Sequence, residues 1–286
     1  MPLSDLSLAP ILRFERSEIL DRLRATVRDK SPIVAAGSSC GLVAKSAEAG
    51  GADLIVVYST GITRLKGLPT TVEHGCANAT TLGMAAEILN VVARTPVICG
   101  VEAIDPKYAR LGVLLDQVQD AGYSGIINFP TVTDYEPGTR YRRQRDSVGF
   151  GFRRELDLIS LARQRGLFTM AYVFTVDEAE QMARAGVDVL VPHVGGTSGG
   201  VDGFEGVHDF DTAVDLVNAM SEAAWAVDSD IISLAHGGPF DLPENVRPLY
   251  GRSRVQGFVG ASSIERIPIE QGVANVVRDF KDAVLS

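Results

Sequence analysis

The chain has 286 residues, 45% hydrophobic and 22% charged, with a formal net charge of −9. An acidic surface disfavours nucleic acid and anionic membrane as partners, since both are held through positive charge. With 29 Gly, 13 Pro and 7% aromatic residues the composition fits neither a fibrous nor a disordered class, and a chain this long buries most of its apolar surface without disulfides.

The three cysteines, Cys40, Cys76 and Cys99, form no Cys-x-x-Cys pair. Neither a disulfide framework nor a thiolate zinc site is therefore expected. Asp5, Glu15 and Glu18 leave no apolar stretch of signal-peptide length near the amino terminus. No run approaches the ~18 apolar residues of a membrane span. These features point to a soluble, reduced, cytoplasmic protein.

Ile19, Leu20, Leu23 and Val27 fall at helical spacing, which predicts an amphipathic helix over 15–30 ahead of the main fold. Short β-branched runs then alternate with longer helical patterns. Strands are expected at Ile33–Ala36, Asp53–Val57, Pro96–Cys99 and Gly125–Asn128, then at Phe168–Val173, Val187–Val191, Ile231–Ala235 and Val255–Val259. Helical patterns include Ala77–Ala93, Arg153–Arg165, Val176–Ala185 and Thr212–Val227, with a short one near Leu242–Leu249. Continuous apolar runs such as Leu54-Ile55-Val56-Val57 mark strands buried on both faces. The pairs Ala49-Gly50, Ala121-Gly122 and Ala185-Gly186 suit helices that end on a left-handed Gly. Eight β-α units in series predict a single (β/α)8 TIM barrel with an N-terminal extra helix. One domain covers 1–286, with the N-terminal segment and helix at 1–31 and the barrel at 32–286. An open doubly wound sheet is the alternative, but no Gly-x-Gly-x-x-Gly turn follows the first strand.

In such a barrel chemistry sits at the carboxyl ends of the strands, and polar and Gly-rich residues crowd those ends here. Ser38 follows strand 1, and Tyr58 opens a long loop over 58–77 that carries Arg64, Lys66, Glu73 and His74. Asn128 ends strand 4 ahead of a second long loop over 129–152, with Arg140, Arg142, Arg143 and Arg145. Loops of this length are usually functional lids, although a solvated or subunit-contact surface fits the arginines equally. His193 and His236 end strands 6 and 7. Both suit general acid/base work, with an ordinary pKa near 6.5, or a hydrogen-bonded supporting place beside the site. His236 is the stronger candidate, because Gly237-Gly238 lets backbone approach a ligand beside its ring. His74 and His208 lie in loops and read as solvated.

Glu102 and Asp105 after strand 3 could hold a divalent cation through oxygen, while Asp105 equally suits a helix cap. None of the five lysines lies inside a strand, which disfavours a Schiff-base mechanism. An anion subsite is expected from Gly237 and Gly238 with Gly260, Ala261, Ser262 and Ser263. Ser262-x-x-Glu265 reads as a capping box that starts a short helical turn whose amides attract an oxyanion. The final helix should then pack Ile269, Val273, Val276, Val277, Phe280 and Val284 on the core.

The motifs Ala47-Glu48-Ala49-Gly50-Gly51-Ala52-Asp53-Leu54, Asn128-Phe129-Pro130-Thr131-Val132, Tyr172-Val173-Phe174, His193 with Gly195 and Thr197, His236-Gly237-Gly238-Pro239 and Gly260-Ala261-Ser262-Ser263-Ile264-Glu265-Arg266 run over nearly the whole chain. Together they resemble the phosphoenolpyruvate hydrolase-like TIM-barrel family. The family typically has a small or neutral residue at the place of Glu102, and its second loop opens Asn-Ser-Gly-Arg where this chain reads Ser59-Thr60-Gly61-Ile62 and keeps Arg64. The resemblance implies a hydrolase or lyase that cleaves a C–P or C–C bond of a small anionic 2-oxo acid, with Mg2+ as cofactor and assembly into a homo-oligomer. His193 or His236 would then move the proton, Asn128 or Tyr58 would orient the carbonyl, and Arg64 would close over the substrate carboxylate, with Ser38, Gly195 and Thr197 beside the anion. A non-catalytic small-anion sensor or interaction module is the alternative.

Overall fold

Alternating side chains within each strand decide the architecture. The computed structural model describes residues 10–70 and 75–283. Eight parallel strands, β1 (Ile33–Gly37), β2 (Leu54–Val57), β3 (Val97–Gly100), β4 (Gly125–Ile127), β5 (Phe168–Val173), β6 (Val189–Pro192), β7 (Ile232–Ala235) and β8 (Gly257–Gly260), close into a barrel in sequence order. One set of side chains, among them Leu54, Val56, Ile98, Ile127, Met170 and Val191, fills the interior. The alternate set, including Ile55, Val57, Val97, Ile126 and Leu190, packs beneath the surrounding helices. The expected TIM barrel is the fold observed.

The extra helix α1 (Arg16–Arg28) closes the amino-terminal end of the barrel. Its Ile19, Leu20 and Leu23 join the interior cluster, each contributing about 1.5–3 kcal/mol by burial. Val27, expected on that face, is exposed. Arg16 clamps the helix to the barrel: its Nε lies 2.9 and 3.0 Å from the two Asp188 oxygens, and its Nη2 lies 2.6 Å from Oδ1. The same carboxylate accepts from the Thr169 amide and hydroxyl, both at 3.0 Å.

Helix α2 (Gly41–Ala49) follows β1, and its left-handed residue is Gly51, φ +89°, rather than Gly50. The long loop expected after β2 is instead helical from its first residue, forming α3 (Ser59–Leu65). Gly61 permits this, because a Cβ there would overlap the Ser39 side chain. Glu73 and His74 lie outside the described residues. The predicted helix over 77–93 is broken into α4 (Ala77–Gly83) and α5 (Ala85–Leu89). Thr81 bonds back to the Ala77 carbonyl at 3.0 Å, a contact that bends helices, and Gly83 adds little helical preference. Next come α6 (Leu111–Asp120), α7 (Arg140–Ser147) inside the second long loop, α8 (Phe152–Gln164), α9 (Val176–Ala185), α10 (Phe210–Val227) and the short α11 (Pro243–Val246).

The last helix, α12 (Arg266–Lys281), departs furthest from expectation. Ile269, Val273, Val276, Val277 and Phe280 are all exposed, Phe280 at 77%, and only Arg266 and Ile267 are buried. Val284 lies outside the described residues. Glu265 makes no cap bond to the helix either, so the predicted capping box is absent. The outer barrel wall shows the counterpart. Val34 and Phe258 are register partners across the β8–β1 seam. Val34 is half-buried and Phe258 retains 8% exposure, where the outward side chains of β2 and β3 are sealed.

Replacing Asp188 with Ala should cost about 1.5–3 kcal/mol, since the charged hydrogen bonds of Arg16 and the Thr169 amide lose their acceptor. Urea unfolding of Asp188→Ala against the parent chain measures the loss.

Candidate active site

At the carboxyl ends of the strands lies a cavity of about 350 Å³. Its deepest wall is aromatic. The Tyr58 and Tyr172 hydroxyls meet at 2.8 Å, and Phe129 sets its edge against both rings, at centroid distances of 5.3 and 5.5 Å. Burial pushes both phenol pKa values well above the ordinary 10, so both remain protonated. One hydroxyl donates to the other, which leaves one O–H for a ligand.

His193 and His236 extend the pairing of β6 and β7 by one residue. Their rings sit 4.6 Å apart at 64°, and both line the cavity. Phe174 stacks on His193 at 4.3 Å. His236 Nδ1 is 2.7 Å from the Val259 carbonyl oxygen, and the Gly195 amide donates to His193 Nδ1 at 3.1 Å. Burial drives the His236 pKa down to about 4, against a rise from the Val259 bond, and Arg64 lowers it further. His193 is held well below 6.5 by burial and by its neighbour His236. His208 is exposed.

Arg64 also lines the cavity, but its carboxylate partner is internal. Its Nε and Nη2 lie 3.1 and 2.8 Å from Glu265 Oε2, with both side chains almost wholly buried. Glu265 Oε1 accepts from the Ser39 amide at 2.7 Å. Of the five guanidinium N–H groups, two serve Glu265 and one makes a long 3.5 Å contact with Thr60. The other N–H groups have no partner among the described residues.

Asn128 is fully engaged and stands behind the wall. Its Nδ2 donates to Glu155 at 2.6 Å and to the Tyr172 carbonyl at 3.2 Å, while its Oδ1 accepts from the Tyr172 amide at 2.7 Å. It braces β4 against β5 rather than presenting an amide to a ligand. Glu155, which sequence reasoning passed over, gathers Asn128, the Thr131 hydroxyl at 2.7 Å and the Val132 amide at 2.7 Å. Burial raises its carboxyl to about 7. The available signal was a lone acid on the apolar stripe Phe152, Leu156 and Ile159.

The arginines of the second long loop do not converge on the mouth. Arg142 forms a buried pair with Glu178 at 2.6 Å, Arg143 bonds the Gly138 carbonyl, and Arg145 lies over Tyr141. After Phe129, Pro130 and Thr131 at its start, that loop gives the cavity Tyr135 and Tyr141, stacked at 4.0 Å, with Asp134 beside them.

The expected cation ligands diverge. Glu102 lines the cavity. The Asp105 oxygens are occupied by Asn78 at 3.0 Å, Cys76 at 3.2 Å and the Lys107 amide at 2.9 Å, so Asp105 stabilises its own loop. Among the described residues no three His, Cys, Asp or Glu side chains assemble. Of the expected pair only Glu102 lines the cavity, so the two do not form a Mg2+ centre by themselves.

The expected anion subsite is only partly open. The Gly238 amide is spent on the Gly195 carbonyl at 2.9 Å, and the Gly195 amide on His193. Ser262 and Thr197 line the cavity. The Ser262 and Ser263 amides have no acceptor among the described residues. The Ser38, Ser39 and Ser263 hydroxyls are buried without a partner. At Gly237, φ +85°, a Cβ would overlap the Gly195 carbonyl oxygen, so glycine is required there.

A sequence profile described as phosphoenolpyruvate hydrolase-like matches residues 18–283. The ToMV susceptible protein tm-1(GCR26) of Solanum lycopersicum is 38% identical over 271 residues, covering 93% of this chain and 36% of that protein. This chain thus spans about a third of the length of that relative. Among solved structures, phosphonopyruvate hydrolase in complex with oxalate and Mg2+ is 18% identical with a TM-score of 0.56, covering 92% of this chain and 88% of that one. Oxaloacetate acetylhydrolase in complex with its product oxalate is 14% identical with a TM-score of 0.58, covering 96% and 90%. The chain belongs to the phosphoenolpyruvate hydrolase-like family.

Neutral imidazoles in the fold make stability depend on acid. Between an ordinary pKa of 6.5 and about 4 the unfolded chain binds the proton that folded His236 refuses. The stabilisation is therefore full above 6.5 and falls as pH drops. His236 alone should account for about 2 kcal/mol between pH 7 and 5, and His236→Asn should flatten that part of the urea-unfolding profile.

Proposed function

We propose that this member of the phosphoenolpyruvate hydrolase-like family is a hydrolase or lyase that cleaves the C–C or C–P bond of a small anionic 2-oxo acid. The carrying observation is one cavity wall that combines an un-ionised phenol pair, two neutral imidazoles and a guanidinium with spare N–H donors. A 2-oxo acid presents the matching groups. Its carboxylate accepts from the free Arg64 N–H groups, with the Ser262 and Ser263 amides and Thr197 alongside. The phenol O–H left over by the Tyr58–Tyr172 bond points at the 2-oxo oxygen and stabilises negative charge that develops there. An imidazole moves the proton. Two solved structures of the same fold bind oxalate, and oxalate is the two-carbon dicarboxylate that C–C hydrolysis of oxaloacetate leaves behind. One of them holds Mg2+; in this chain Asp105 is engaged by its own loop and only Glu102 of the expected pair lines the cavity.

Turnover of phosphonopyruvate or oxaloacetate is the test, read as release of phosphate or a shorter acid; phosphate release from phosphoenolpyruvate alone, a C–O–P ester, would point to phosphoester hydrolysis instead. Binding across the panel without turnover would favour the sensor reading. On the substrate that turns over, Tyr58→Phe should lower kcat by about 10²–10³, with a smaller change in KM.

The partner for the exposed stripe of α12 is a second copy of this chain. Apolar side chains from Ile269 to Phe280 stand uncovered on one helix, and the β8–β1 seam around Val34 and Phe258 is under-covered on the barrel. Exchange of α12 between two copies fills both places at once. Light scattering should report a dimer for the parent chain and a monomer for Val277→Asp combined with Phe280→Asp. A parent chain that is monomeric at micromolar concentration would rule the exchange out.

A further inference from the structure

The two histidines at the cavity differ in one respect that their shared wall conceals. His236 Nδ1 faces the Val259 carbonyl oxygen at 2.7 Å, and a carbonyl oxygen can only accept. The proton of that neutral ring is therefore on Nδ1, and Nε2 carries a bare lone pair. His193 is the reverse. Its Nδ1 accepts from the Gly195 amide at 3.1 Å, so its proton is on Nε2. Both assignments are made by backbone groups at fixed positions, one in β8 and the other in the turn after β6. That turn is itself anchored, because the Gly195 carbonyl accepts from the Gly238 amide at 2.9 Å.

We infer that the backbone locks the two rings in opposite tautomers, so that His236 Nε2 is the base and His193 Nε2–H the hydrogen-bond donor of one proton-transfer pair. The assignment of chemistry to the pair rests on the functional reading above. In hydrolysis of a C–C bond beside a 2-oxo group, water oxygen bonds to the 2-oxo carbon while His236 Nε2 takes the water proton. The C=O π pair moves onto oxygen, where His193 Nε2–H and the free phenol O–H hold it. The C=O re-forms, the C–C pair departs on the adjoining carbon, and that carbon takes the proton back from His236 Nε2. Water is the only co-reactant, and both rings end in their starting tautomers. Opposite tautomers give the pair both an acceptor and a donor. With two bare Nε2 atoms nothing in the pair would hold the oxyanion, and with two Nε2–H groups nothing would accept the water proton.

Imidazole ¹⁵N chemical shifts test the lock without any substrate. In a chain carrying His74→Gln and His208→Gln only His193 and His236 remain. At pH 7 one ring should show protonated Nδ1 with bare Nε2, and the other protonated Nε2 with bare Nδ1. Loss of the first signal in His236→Asn and of the second in His193→Asn assigns them. Two rings in the same tautomer would overturn the inference. Opposite tautomers in a chain that turns over nothing on the panel would count against the functional reading alone. With turnover established, His236→Asn should lose about 10²–10⁴ in kcat, and His193→Asn about 10²–10³. Parent-like kcat in either variant would remove that ring from the step.

Discussion

The buried pair of Arg64 and Glu265 holds the mouth of the barrel together. One carboxylate ties the last turn of the helix after β2, the segment after β8 and, through the Ser39 amide, the turn after β1. Three of the eight strand ends are thereby fixed to a single group. Removing one partner would strand the other charge in a dry place, at a cost of about 3–5 kcal/mol. The pair also sets the electrostatics of the cavity. Arg64 is neutralised from behind, so it offers directed N–H groups to the cavity with little unbalanced charge, and it still helps to keep His236 un-ionised.

The barrel was legible because period and composition agree along every strand. Continuous β-branched runs, Gly at helix ends and the crowding of polar residues after each strand all point to one architecture. The candidate site was legible as a neighbourhood only: Tyr58, Arg64, His193, His236, Thr197 and Ser262 line one cavity. Their partners were not legible. Glu265, three residues after Ser262, satisfies the local pattern of a helix cap, yet its carboxylate is drawn to Arg64, 201 residues away in sequence. Asn128 ends a strand like a ligand-binding residue, but Glu155 and the backbone of Tyr172 consume its whole amide. A sequence displays donors and acceptors without showing which have already been satisfied across the barrel.

The α12 stripe shows a different blindness. Its apolar spacing is that of a helix packed on a core, and the spacing says nothing about whose core. Tertiary structure decides that, and among the described residues Phe280 and its neighbours remain exposed rather than packed into the core of their own barrel.

The plug formed by α1 has a consequence for traffic. Ile19, Leu20 and Leu23 pack onto the filled interior at the amino-terminal end, and the cavity lies at the opposite end, where the stacked Tyr135 and Tyr141 line it. Under the proposed cleavage two molecules form from one, and both would leave by that mouth, the fragment held at Arg64 and the imidazoles after the one nearer solvent.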